Sequence, residues 1–139
     1  MKRAIALVTL AILVGCNTTP APTMQSSQPA AAKPPDENAA LAVISKINEG
    51  QSIYFKLNRR YALDFDELIK AHQLDREPST ADTGYDFKLR PAAEAQTYRL
   101  SVVPARSGVA SRSFFTDQTG AVRAETGKEA GPDSPALPK

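Results

Sequence analysis

At Gly84 the spacing of apolar residues changes period, and that change limits the folds open to this chain. Before it, across residues 36–57, Val43, Ile44, Ile47, Tyr54 and Leu57 recur about every 3.6 residues, with Ser45, Glu49, Ser52 and Lys56 opposite. After it, Tyr85, Phe87 and Leu89 alternate with Asp86, Lys88 and Arg90. Tyr98, Leu100 and Val102 then alternate with Arg99 and Ser101. The first pattern is a helix with one apolar stripe; the second is a set of half-buried strands. Neither surface can be buried alone, so each must cover the other. The expected fold is α+β: one long amphipathic helix on a small antiparallel sheet of about four strands.

Local signals divide this domain further. Gly50 interrupts the apolar stripe at a cost of roughly 1 kcal/mol in helix propensity, which implies a close approach by whatever packs there. Asp64 is a good N-cap for a short second helix over residues 65–72, with Glu67 placed for a capping box and Leu63 and Leu68 for a hydrophobic staple. Residues 91–96 connect the first two strands, and residues 104–108 break the second. Residues 112–116 and 121–124 read as the third and fourth strands. The expected core pairs the helix stripe with Tyr85, Phe87, Leu89, Tyr98, Leu100, Val102 and one of Phe114 or Phe115.

Both flanks lack periodicity. Residues 16–35 are rich in Pro, Ala, Ser, Thr and Gln, and residues 126–139 read TGKEAGPDSPALPK. Such compositions bury too little apolar surface to fold, so a disordered tether and a disordered tail are expected around a domain of residues 36–125. That domain is small and contains no cysteine, so it has a single modest core without a disulfide.

The first 15 residues combine a basic head, Lys2 and Arg3, with an apolar run over residues 4–14 broken only by Thr9. This is the layout of a secretory signal, too short for a permanent span of roughly 20 apolar residues. Its end, Leu13-Val14-Gly15-Cys16, resembles the lipobox of bacterial lipoproteins. The resemblance implies cleavage before Cys16, the only cysteine, and a diacylglycerol and an N-acyl chain on it, which together anchor stably. It implies an envelope location, with the domain in the periplasm or on the cell surface; Asn17 in place of aspartate favours the outer membrane over the inner. Removal of Lys2 and Arg3 from a chain with 17 basic and 15 acidic residues leaves 15 of each. The near-neutral balance gives no argument for nucleic acid as a partner.

The order INEGQSIYF, YALDFDEL, GYDFKL, TYRLSVVP and RSFFTDQTGAVR is similar to the soluble head of type IV pilin-like and pseudopilin-like proteins, over residues 39–123. That resemblance implies a non-catalytic interaction domain, with pilus or secretion-system proteins as partners. The chain departs from the family at its start, where a lipobox and tether replace the prepilin leader and the long apolar helix of filament subunits. A pilin-like head on a lipid leash is expected, not a filament subunit.

Few residues point to chemistry. Asp117 lies in TDQTG, one letter from the phosphorylated DKTG of P-type pumps, but strand patterns flank it and Asp and Gly bracket a tight turn, so it is expected to shape a hairpin. His72 is the only histidine and, with the only cysteine in the lipobox, has no partner residue for a zinc site. No serine sits in G-x-S-x-G and no Gly-rich phosphate loop exists. No catalytic residue, metal, cofactor beyond the acyl chains or small-molecule substrate is expected. Lys88, Arg90, Arg99 and Arg123 alternate with apolar residues and can share the open face of the sheet. With Arg59 and Arg60 they form a candidate patch for an envelope polymer or polyanion, against the plainer expectation of a solvated sheet face.

Overall fold

The computed structural model describes residues 33–106 and 111–138. Cys16, the signal and the tether up to residue 32 lie outside the described residues. Helix α1 (Glu37–Asn58) is followed by two short helices, α2 (Phe65–Lys70) and α3 (Thr80–Thr83). Strands β1 (Tyr85–Ala92), β2 (Thr97–Pro104), β3 (Arg112–Asp117) and β4 (Arg123–Thr126) complete the order. They form one antiparallel sheet with neighbours in chain order, β1-β2-β3-β4. The α+β architecture expected from the change in period is present.

Helix α1 starts where Asp36 accepts the Ala39 N–H at 3.0 Å, satisfying an orphan donor of the first turn. It ends at Arg59, whose φ of 59° leaves the helical region while its N–H closes on the Phe55 carbonyl. Ala40, Ile44, Ile47 and Tyr54 of its stripe pack with Phe65, Leu68, Tyr85, Tyr98, Leu100, Val102 and Phe114. Phe87 and Leu89 are only partly buried against this cluster. Gly50 does meet a close neighbour, but the neighbour is the segment after α2. A Cβ at position 50 would lie 3.1 Å from Gln73 Cβ and 3.7 Å from Leu68 Cδ2.

Several expectations need correction. Leu57 is 72 % exposed, because a stripe phased through Ile44, Ile47, Gln51 and Tyr54 continues at position 58, a full residue further round. Leu63 is 43 % exposed and does not act as a buried staple. The backbone at the start of α2 is held by polar groups: Asp64 accepts the Glu67 N–H and Glu67 accepts the Leu63 N–H, each at 2.9 Å. Helix α2 stops at Lys70, and His72 sits beyond it with φ 56°. Strand β4 begins at Arg123, two residues later than expected.

Residues 127–138, expected to be a disordered tail, are packed on the sheet. The Ser113 hydroxyl donates to the Lys128 carbonyl at 2.6 Å and accepts the Ala130 N–H at 2.7 Å. The chain then runs antiparallel to β4: the Ala124 N–H donates to Pro135 and the Leu137 N–H to Val122, at 2.9 and 2.8 Å. Ala130 and Ser134 are buried, and Leu137 reaches the core cluster. Most of these contacts use backbone groups and small polar side chains, so they need no apolar period. The end of the tether is similarly fixed. Gly84 has φ 75°, and a Cβ there would lie 2.6 Å from the Lys33 carbonyl oxygen. Only glycine lets residues 33–34 pass so close.

Candidate functional site

The outer face of the sheet, away from α1, is built by the residues that alternate with the core. Side chains change face at every residue along a strand. With Tyr85, Leu100 and Phe114 facing the helix, Asp86, Lys88, Arg90, Arg99, Ser101, Ser113, Phe115, Asp117, Arg123 and Glu125 face outward. Register places Arg90 directly opposite Arg99, Lys88 opposite Ser101, and Arg99 opposite Asp117.

This face is divided in two. On β3 and β4 it is covered: Ser113 and Phe115 are buried. Arg123 donates to the Ser134 carbonyl at 2.9 Å, and Ser134 Oγ donates to Glu125 at 3.0 Å. On β1 and β2 it is open, with Lys88, Arg90 and Arg99 exposed. None of these basic residues belongs to an ion pair among the described residues. Two carboxylates stand beside them on this face, and each is hydrogen-bonded to a threonine. Asp86 accepts from the Thr80 hydroxyl at 2.7 Å. Asp117 Oδ1 accepts from the N–H and the hydroxyl of Thr119, at 2.9 and 2.6 Å. Like charges directly opposite on neighbouring strands are destabilising, so Arg90 and Arg99 repel each other, and Asp117, opposite Arg99 on its other side, offsets part of that cost.

The six basic candidates therefore do not form one patch. Lys88, Arg90 and Arg99 are together. Arg123 shares their face but is tied down by the C-terminal segment. Arg59 is exposed at the end of α1. Arg60 is committed to structure: its guanidinium grips Glu67 through Nη1 and Nη2 at 2.8 and 2.9 Å and lies 5.4 Å from the Tyr54 ring centre. With the Leu63 N–H and the Tyr54 hydroxyl as further donors, the Arg60 guanidinium holds the Glu67 carboxyl down at about 2. Asp117 shapes the β3–β4 turn, where its carbonyl accepts the Gly120 N–H at 2.9 Å and Gly120 takes φ 70°. No group of three or more His, Cys, Asp or Glu among the described residues could hold a metal.

The backbone of β1 supplies a second element that residue types did not reveal. The bonds from Ala124 and Val122 to the C-terminal segment fix the phase of the ladder. In antiparallel pairing, a residue whose backbone bonds to one neighbour leaves alternate residues to bond the other. Carried back through the registers, this turns Arg123 toward β3, Phe114 toward β2, and Ser101 and Arg99 toward β1. On β1, Asp86, Lys88 and Arg90 then bond inward, as does Gly84, which accepts the Ala105 N–H at 3.0 Å. The N–H and C=O groups of Phe87 and Leu89 point off the sheet, with no backbone partner among the described residues. Pro91, which lacks an N–H, shares this outward phase and costs the ladder nothing. Beside this edge, Asp64, Phe65, Asp66, Glu77 and Leu89 line a notch of about 220 Å³.

Polar side chains inside the fold explain part of the motif order. Gln51 is fully buried and pairs with the Ala62 backbone like a strand, accepting its N–H at 2.8 Å and donating to its carbonyl at 3.2 Å. Asn48 accepts from the Tyr98 hydroxyl at 2.9 Å and donates to Thr116 at 3.2 Å. Glu37 takes the Arg112 guanidinium through Nη2 and Nε, at 2.6 and 3.1 Å. These groups join α1 to its loop and to the sheet and are fully used there. Comparison of the chain with protein-family models, with characterised proteins and with solved structures finds no match.

Proposed function

We propose that the chain is a lipid-anchored protein of the bacterial cell envelope whose α+β head is a non-catalytic, pilin-like interaction module. The anchor rests on Leu13-Val14-Gly15-Cys16 at the end of an apolar run of signal length. The pilin-like assignment rests on the motif order. The long helix laid on a four-stranded antiparallel sheet is compatible with it. The observation that carries the binding role is the open half of the sheet. Gln51, Asn48 and Glu37 in and beside the interior are spent on structure, whereas Lys88, Arg90 and Arg99 are exposed and the outward backbone groups of Phe87 and Leu89 have no backbone partner among the described residues. Pilus or secretion-system proteins of the envelope are the proposed partners, with the outer membrane as the site of anchoring.

Two experiments test this. Metabolic labelling with palmitate should mark the wild-type chain, and Cys16→Ser should abolish the label and leave an unprocessed precursor; label that persists would remove the anchor. Crosslinking of the intact protein in its own envelope, followed by mass spectrometry, should recover pilus or secretion components. The Arg90–Arg99 pair favours a second reading, a site for a polyanionic envelope polymer. In that case the recovered material would be polymer, released as salt screens the basic residues.

A further inference from the structure

We infer that the free edge of β1 takes up an extended peptide segment carrying acidic residues at alternate positions, adding a fifth strand to the sheet. The inference rests on the interaction role proposed above and names the kind of partner. Three observations converge on the edge. The N–H and C=O groups of Phe87 and Leu89 are aimed outward in the phase that an added antiparallel strand pairs with. The β4 side of the sheet is already occupied by residues 135–137, so an incoming strand has only the β1 side. The side chains that flank the open backbone then set the sequence of the guest.

On the outer face, guest residues opposite Lys88 and Arg90 meet exposed cations, with Arg99 one strand behind, and glutamate or aspartate there would neutralise the Arg90–Arg99 repulsion. On the inner face, the next guest residue meets the notch. Its floor is Phe65 and Leu89, and its rim is Asp64, Asp66 and Glu77. A lysine or arginine fits there, its stem on the apolar floor and its head at the carboxylates. Opposite Lys88, Leu89 and Arg90 the guest is thus acidic, basic and acidic in turn, and opposite Asp86, on the same outer face, it carries no acid. A second copy of this chain is a poor guest. Antiparallel pairing of two β1 strands would set Lys88 and Arg90 of each copy against those of the other, a usual means of blunting an edge.

The test uses the full-length chain in detergent and a dye-labelled heptapeptide in which glutamate alternates with lysine and valine, followed by fluorescence anisotropy. Saturable binding is expected. K88E/R90E, which changes only exposed side chains, should weaken it about tenfold without lowering the melting temperature, since Arg90→Glu also relieves the repulsion from Arg99. Methylation of the peptide amides that face β1 should abolish binding, and methylation of the intervening amides should not. Binding indifferent to methylation and matched by polyphosphate would overturn the inference in favour of a polyanion on the sheet face. An absence of uptake, or self-association of the chain in its place, would also overturn it. None of these outcomes depends on the acyl anchor, so failure of the palmitate experiment and failure of the edge are separable.

Discussion

At the scale of single residues, Glu67 carries the clearest pH dependence. Its carboxylate gathers Arg60, Tyr54 and the Leu63 N–H, and its pKa is depressed from the ordinary 4.5 to about 2. A depressed carboxyl stabilises the fold fully above its unfolded value and loses that contribution as pH falls through the folded one. Because Glu67 and Arg60 keep part of their surface in water, the contribution is on the order of 1–2 kcal/mol after screening. Glu67→Gln should therefore lower the denaturation midpoint at pH 7, and the gap from wild type should close as pH falls from 4.5 toward 2. Gly50→Leu should destabilise by about 2–3 kcal/mol, since the added branch must displace Gln73. An unchanged melting temperature would remove the close approach from the account. Gln51→Leu should cost about 2–4 kcal/mol, because it strands both the N–H and the carbonyl of buried Ala62.

At the scale of elements, the change in apolar period at Gly84 was enough to place α1, β1 and β2 and to choose most of the core. Tyr85, Tyr98, Leu100 and Val102 are buried as their alternation implied, and of the two candidates left open on β3, Phe114 joins the core cluster while Phe115 is buried on the opposite face. Leu57 and Leu63 are exposed because apolar character alone does not fix phase at the end of a helix or the packing of a connecting loop. The four-residue α3 carries too short a segment for any period to show. The C-terminal segment was illegible for a different reason. It is held by Ser113, Ser134 and backbone bonds, so its order is a tertiary property that composition does not record. Ending the chain at Thr126 should expose Phe115 and the β4 backbone together. A loss of about 2–4 kcal/mol in chemical denaturation is expected. Hydrogen exchange at the Ala124 amide should rise well before that of the α1 interior.

At the scale of the whole molecule, a net charge of only +2 conceals an uneven surface. Lys88, Arg90 and Arg99 face outward from β1 and β2, while Asp64, Asp66 and Glu77 gather at the neighbouring notch. Alternation along the strands showed that the basic residues share a face. It did not show that Arg60 turns away to Glu67 or that Arg123 lies under the C-terminal segment, because both depend on partners distant in fold or sequence. The open backbone of β1 was equally invisible, since hydrogen-bond phase is a property of the assembled sheet. The occupied β4 side also sets a stoichiometry. In polymer terms a sheet that can react on one side only is monofunctional: it terminates a growing array of strands and cannot propagate one. Whatever joins this molecule through its strands should do so one to one, so that on a fibre it would act as an end cap rather than a repeating link.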